Sequence, residues 1–387
     1  MNSENNRIVF MGTPNFAVGC LKALVEADMN VVAVVTMPDK PKGRGQKMLP
    51  SPVKEYAVAQ GLTVLQPTNL KDENFLQALE ACKAQLQIVV AFRMLPRAVW
   101  AMPPFGTFNL HASLLPNYRG AAPINHAIWN GEKTTGVTTF LLDDNMDTGG
   151  ILYQKAIQID DSDNAGTLHD KLLNIGAPLV VKTAQDLFSK KIKPQPQAVS
   201  QPQAVSQPQA AHQPQIAKLP TAPKIFKNDC LLDPQKTATE LHLQVRALSP
   251  YPAAFVYLTV KETEDKIILK IFESEVITAF NCTANDQNEA KSPLNNVPNI
   301  PTNNINLKAI TSKNDKNAGQ NVDFLKNYKQ GNLIVKGDDT LLFVCANDTF
   351  LSLKDIQLSG KQRVKIEPFL RGFHPEVFSN IIVAHCY

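Results

Sequence analysis

The chain has 387 residues, 44% hydrophobic and 19% charged, with a formal net charge of +4. That length predicts two domains, and the composition is that of a soluble globular protein. No apolar run approaches the ~20 residues that span a bilayer. The opening M-N-S-E-N-N-R lacks a signal-peptide pattern, and the scattered cysteines form no C-x-x-C pair that would suggest a zinc or redox motif. A cytoplasmic protein with no membrane partner and no metal is expected.

Arg7–Met11 and Val31–Thr36 are dense in β-branched residues and read as buried strands, with an amphipathic helix between them at Ala17–Ala27. A basic, glycine-containing loop follows at Lys40–Lys47, K-P-K-G-R-G-Q-K. Its Lys40, Lys42, Arg44 and Lys47 are suited to meet nucleic-acid phosphates. Leu86–Ala91 and Phe108–His111 repeat the strand pattern. Near-continuous apolar strands separated by helices predict an α/β fold, a doubly wound and mostly parallel sheet. Ligands of such sheets bind beyond the carboxyl ends of the strands. Val137–Leu142 and Ile151–Ile159 read as further strands, and Thr167–Lys190 as a long helix closing a first domain, 1–190.

Q-P-Q-A-V-S at Gln195–Ser200 recurs at Gln201–Ser206, with a decayed copy at Gln207–His212. Such units have little to bury, and their prolines favour extended polyproline II. They predict a semi-rigid linker between domains, 191–224. A helix at Asp229–Val245 and short strands at Phe255–Val260, Ile267–Phe272, Asn332–Val335, Thr340–Cys345 and Thr349–Ile356 suggest a small barrel within 225–387. An Asn-, Lys- and Pro-rich stretch near 283–320 reads as a loop inserted into it.

The chemistry is concentrated between Phe108 and Gly149. Asn109 and His111 lie two apart on a strand, so both side chains point the same way. An amide there can hold an oxyanion, and an imidazole can move a proton near neutral pH. Asp147 follows the next strand, in the turn-prone D-D-N-M-D-T-G-G. If the two strands are neighbours, the three groups converge on a site for acyl transfer to an amine. Asp147 either orients the imidazole or collects the amine proton through a water. No G-x-S-x-G surrounds Ser113, which argues against a covalent acyl-enzyme. Phe92, Arg93, Met94 and Leu95 follow a buried strand and are expected to wall an apolar slot.

H-A-S-L-L-P at His111–Pro116 and the downstream M-D-T-G resemble the folate-dependent formyltransferase family. M-G-T-P-N-F-A, D-K-P-K-G-R-G-Q-K, S-P-V-K, R-G-A-A-P-I and R-A-L-S-P-Y-P-A-A extend the resemblance to the branch that acts on methionyl-tRNA. The resemblance implies 10-formyltetrahydrofolate as donor, an initiator methionyl-tRNA as acceptor, and an OB-like second domain that binds tRNA. It carries Asn109, His111 and Asp147 over as the catalytic trio. It adds Ser113, Leu114, Leu115 and Pro116, and Leu142, Asp143 and Asp144, to the folate pocket, and assigns Arg44 to the tRNA loop. A-F-R-M-L-P at Ala91–Pro96 departs from the family's A-Y-G-x-x-L-P, being one residue shorter and without the glycine. A monomer is expected.

The rival within the family is a transferase for a small amine, a glycinamide ribonucleotide or an amino sugar. A glycine-rich phosphate cradle after the first strand would favour the former, but M-G-T-P-N-F-A has one glycine and a proline. A dinucleotide oxidoreductase lacks its G-x-G-x-x-G, and a tRNA-binding module without catalysis would have no use for the intact trio.

Overall fold

A computed structural model describes residues 6–42, 47–197, 219–277 and 328–384. The chain divides into two units, Met1–Lys224 and Ile225–Tyr387. Arg44 and the predicted insert near 283–320 lie outside the described residues.

The first unit runs β1 (Ile8–Gly12), α1 (Asn15–Glu26), β2 (Val31–Val35), β3 (Lys40–Lys42), β4 (Lys47–Leu49), α2 (Pro52–Ala59), β5 (Val64–Leu65), α3 (Glu73–Ala81), β6 (Leu86–Val90) and α4 (Arg97–Trp100). It continues with β7 (Thr107–His111), β8 (Arg119–Gly120), α5 (Pro123–Trp129), β9 (Thr134–Leu141), β10 (Ile151–Gln158), α6 (Ala165–Phe188) and β11 (Thr221–Ala222). Seven strands form one sheet in the order β10-β9-β7-β6-β1-β2-β5. The five from β7 to β5 are parallel, and β9 and β10 extend the sheet antiparallel. This is the expected α/β class. Every residue of β1 and β6 is buried, as unbroken apolar runs require when helices cover both faces.

Two local features aim the carboxyl end of β7. Gly176 lets α6 approach β7 closely, since a Cβ there would lie 2.9 Å from Cδ2 of Leu110. The antiparallel pairing of β7 with β9 sets Asn109 opposite Phe140 and His111 opposite Thr138. The chain leaving β9 therefore turns back beside β7, and Asp147 lies in that turn.

The residues at both ends of the predicted linker are hydrogen-bonded within the first unit. Gln195 exchanges backbone bonds with Ile151 at 2.7 and 2.8 Å. After the undescribed residues 198–218, β11 pairs in parallel with β8, Thr221 opposite Arg119 and Ala222 opposite Gly120.

The second unit contains α7 (Ala238–Leu248), β12 (Ala254–Thr259), β13 (Lys266–Ile277), β14 (Leu333–Lys336), β15 (Thr340–Val344), β16 (Phe350–Leu358), β17 (Val364–Lys365) and β18 (Ile381–Ala384). The helix expected at Asp229–Val245 starts later. Lys227–Cys230 is a single 3-10 turn, and Pro234 precedes a new start. There Thr237 Oγ1 accepts from the Glu240 amide while Glu240 Oε2 accepts from the Thr237 amide, a capping box that sets the first turn. The sheet order is β12-β13-β16-β15-β14-β18, with β17 on β16. It curls until its ends meet: the Ser379 amide donates to Thr259 O and the Lys261 amide to Val377 O, both at 2.9 Å. This curled, mostly antiparallel sheet is the small barrel expected from the short strands.

Candidate active site

A cavity of about 770 Å³ opens beyond the carboxyl ends of β1, β6 and β7, where the topology of the sheet reverses. Asn109, His111 and Asp147 line it together. His111 and Asp147 are both largely buried, and Nδ1 of His111 lies 4.0 Å from Oδ2 of Asp147.

The imidazole is held by a group other than Asp147. Nε2 of His111 is 2.8 Å from the carbonyl oxygen of Tyr118. A carbonyl only accepts, so Nε2 carries the proton and Nδ1 of the neutral ring has the free lone pair. Asp147 Oδ2 instead accepts from the Gly120 amide at 2.9 Å. The carboxylate is near the imidazole but bonded to the backbone that follows Tyr118. Oδ1 of Asn109 is buried with no hydrogen-bond partner among the described residues.

Asp147 adopts the left-handed region at φ 53°, which Asp enters more readily than most non-glycine residues. Thr148 Oγ1 donates to Asp143 Oδ1 at 2.7 Å, bracing the turn. Gly149 is required by close approach: a Cβ there would lie 1.7 Å from Leu141 O.

Phe92, Arg93, Met94, Leu95, Leu142, Asp143 and Asp144 all line the cavity. The Arg93 guanidinium, however, is engaged on the carbonyls of Pro67 and Thr68. Arg97 and Asp144 pair at 2.7 Å on the rim. Ser113, Leu114, Leu115 and Pro116 lie directly after His111 at the end of β7, beside the residues that line the cavity. They build the turn that delivers Tyr118. Ser113 Oγ donates to Asn117 O at 2.7 Å, and the Leu115 amide to Thr138 Oγ1 at 3.1 Å. Leu114 packs over Gly136, where a Cβ would lie 2.6 Å from its Cδ2.

The basic loop is a hairpin of β3 and β4, with Lys42 opposite Lys47 and Lys40 opposite Leu49. Its base is tied by Asp39, whose carboxylate accepts from Lys54 at 2.7 and 2.9 Å and from Gln66 at 2.8 Å. The Lys54 bond holds the Asp39 carboxyl below the usual range. Lys54 belongs to S-P-V-K, and Ser51 caps α2, so that motif is structural here.

Residues 6–184 match the family described as formyl transferase, and residues 224–374 match its C-terminal domain. The methionyl-tRNA formyltransferase of Bacteroides fragilis is 43% identical over 374 residues, covering 97% of both chains. That of Parabacteroides distasonis is 44% identical, covering 96% of this chain and 97% of its own. The chain belongs to the methionyl-tRNA formyltransferase family. That of Flavobacterium johnsoniae is 49% identical over 71% of this chain and 81% of its own. Among solved structures, HypX from Aquifex aeolicus in complex with tetrahydrofolic acid superposes with TM-score 0.53 at 14% identity, covering 94% of this chain and 46% of that one. The N-formyltransferase of Helicobacter canadensis, in complex with folinic acid and dTDP-3-aminofucose, gives 0.51 at 17%, covering 89% and 98%. At these identities the likeness is one of fold.

Motif reading of this formyltransferase did not anticipate four contributors to the site. The Tyr118 carbonyl is backbone, which any residue supplies. Pro14 and Phe16 line the cavity from the turn after β1, within M-G-T-P-N-F-A. His169 lines it from α6 and stacks edge-on against Phe16 at 5.1 Å.

Proposed function

We propose that this chain transfers the formyl group of 10-formyltetrahydrofolate to the α-amino group of initiator methionyl-tRNA. The product is N-formylmethionyl-tRNA for translation initiation. In this reading residues 1–190 form the catalytic domain and 225–387 the tRNA-binding domain of a cytoplasmic, monomeric enzyme that needs no metal. Among the described residues no helix is long and apolar enough to cross a membrane. The observation that carries the proposal is the convergence of Asn109, His111 and Asp147 on one cavity in a chain of this family.

The cavity fits a folate on its own chemistry. Phe92, Met94, Leu95 and Leu142 offer apolar surface to a flat ring, while the unmet Asn109 Oδ1 waits for a polar partner. The bound folate supplies the electron-poor formyl carbon. A half-turn of the Asn109 amide presents its NH₂ to the formyl oxygen as negative charge develops there. His111 receives the proton that the attacking amine releases, because Nδ1 is its free base. With Nδ1 protonated, the ring donates to the same oxygen or returns the proton to the departing folate nitrogen. Asp147 Oδ2 lies 4.0 Å from Nδ1, on the side of the ring where the proton is exchanged. The C–N bond to the acceptor forms and the C–N bond to the folate breaks, with no net change in protons on the protein.

For the acceptor, Lys40, Lys42, Arg44 and Lys47 are assigned to the phosphates of the tRNA. The β3–β4 hairpin supports this, since a charged strand pair of few residues has little to bury. The test is formyl transfer to radiolabelled methionyl-tRNA by the native protein, His111→Ala and Asn109→Ala. Each variant should lose on the order of 10²-fold or more in kcat. Transfer to a small amine but not to the aminoacyl-tRNA would overturn the acceptor assignment.

A further inference from the structure

The first Q-P-Q of the repeat is built into the site. Gln197 lies within it and is 8% exposed. Its Nε2 donates to the backbone carbonyls of Asp147 and Gly149, each at 2.9 Å. Its Oε1 accepts from the Arg119 guanidinium. The orientation of the amide follows from its partners: carbonyls only accept and a guanidinium only donates, so the NH₂ must face the loop and the oxygen must face Arg119. Both N–H groups and the oxygen are satisfied, which is the condition under which a buried polar group holds structure without penalty.

We propose that Gln197 is a positioning residue that fixes the Asp147 carboxylate beside His111. The inference rests on the reading of Asp147 as part of the transfer site. Three observations support it. Asp147 has a left-handed backbone at φ 53°, so the direction of its side chain depends on how the turn is held. The loop that carries it has an exposed tip at Asp144, Asn145 and Met146, braced by Asp143 on one limb, while Gln197 holds the carbonyls of the other. And the clamp is closed from both sides. Arg119, which holds Gln197 Oε1, precedes Gly120, whose amide holds Asp147 Oδ2 at 2.9 Å. One side chain thus grips the backbone of Asp147 while the neighbour of that side chain's own partner grips the carboxylate. Without Gln197 the two carbonyls turn to water, and the carboxylate, held by the Gly120 amide alone, loosens from its 4.0 Å approach to Nδ1 of His111.

The test uses the full chain with saturating folate donor and methionyl-tRNA, measuring kcat, both KM values and the thermal midpoint. Gln197→Ala should lower kcat about tenfold, the scale of a small misplacement of a reacting group, with both KM values and the midpoint nearly unchanged. Gln197→Glu keeps the volume and the bond to Arg119 but turns the donor into an acceptor facing two carbonyls. It should fall at least as far, whereas a role confined to satisfying Arg119 would leave it active. Combining Gln197→Ala with Asp147→Asn separates positioning from general support. The double variant should be no slower than Asp147→Asn alone, because the clamp acts only through that carboxylate. Multiplying losses, or a kcat for Gln197→Ala equal to the native value, would overturn the proposal. Full activity of Asp147→Asn by itself would overturn the site reading beneath it.

Discussion

Nε2 of His111 donates to the carbonyl oxygen of Tyr118 at 2.8 Å. That one bond selects the tautomer, and so decides which nitrogen faces the reacting groups. The Tyr118 carbonyl is in turn held from two directions. Its own amide donates to Pro220 O at 2.6 Å, and its hydroxyl donates to Glu132 Oε1 at 2.6 Å.

Removing that hydroxyl tests how far the base of the turn supports the imidazole. Tyr118→Phe should cost about 1 kcal/mol of stability at neutral pH and lower kcat severalfold. The pH dependence has a definite sign. Burial, and then the bond to Glu132, push the phenol up to about 12. A raised folded-state value means that the contribution is complete below the ordinary ~10 and fades as pH rises through the folded value. Melting both proteins between pH 7 and 11.5 should show a constant difference up to about pH 10 that shrinks above it.

Gly149→Ala should disrupt the Asp147 turn. Its Cβ would stand 1.7 Å from Leu141 O, and backbone is the least able neighbour to move. A loss in kcat of about 10²-fold is expected, with a lowered melting temperature. Gly61→Ala is the control: it has φ 67° but no atom within 4 Å, so it should cost only ~1 kcal/mol and leave kcat alone. Equal effects at the two positions would contradict the steric account.

Asp355 predicts an acid-sensitive second unit. Burial alone would raise its carboxyl, but hydrogen bonds and charge from Arg363 and Lys365 more than offset this and hold it below the usual range. A depressed folded-state value gives stability that is present above the ordinary ~4 and is lost as pH falls through the lowered value. Asp355→Asn should therefore cost about 1–3 kcal/mol at pH 7, and urea denaturation at pH 3 should find the difference reduced.

Deleting Gln201–His212 removes two of the repeated units and leaves Gln197 in place. Loop closure costs only ~0.6 kcal/mol per doubling of length, so kcat and stability should stay within about twofold of native. A tenfold loss of transfer to methionyl-tRNA would show that the repeats themselves take part.

The meeting of Asn109, His111 and Asp147 at one cavity was legible because each signal is local. A two-residue spacing on a strand fixes a shared face, and a D-x-x-x-D-T-G-G run marks a turn. What the sequence hid was of two physical kinds. Backbone donors and acceptors, such as Tyr118 O and the Gly120 amide, have no residue signature. Gln197 is masked differently, because it opens a run of near-identical units in which no copy looks special. The bonds of S-L-L-P to Asn117 and Thr138, which shape the turn before Tyr118, are likewise not readable from its residue types. The second-unit helix was started too early because Asp229 resembles a cap, while the Thr237–Glu240 box beyond Pro234 is the one that is made.

The pairing of β11 with β8 has a consequence for the repeats. Gln197 hangs from Arg119, and twenty-four residues later in the count Thr221 lies opposite that same Arg119. The described chain is thus beside Arg119 at Gln197 and beside it again at Thr221. Copies after Ser200 contain neither Gln197 nor the short stretch that runs from Pro223, whose carbonyl meets His126, into the second unit. Both anchors, Gln197 and β11, belong to the first unit, so a change in the length of sequence between them leaves the register of β11 on β8 to be set by Thr221 and Ala222.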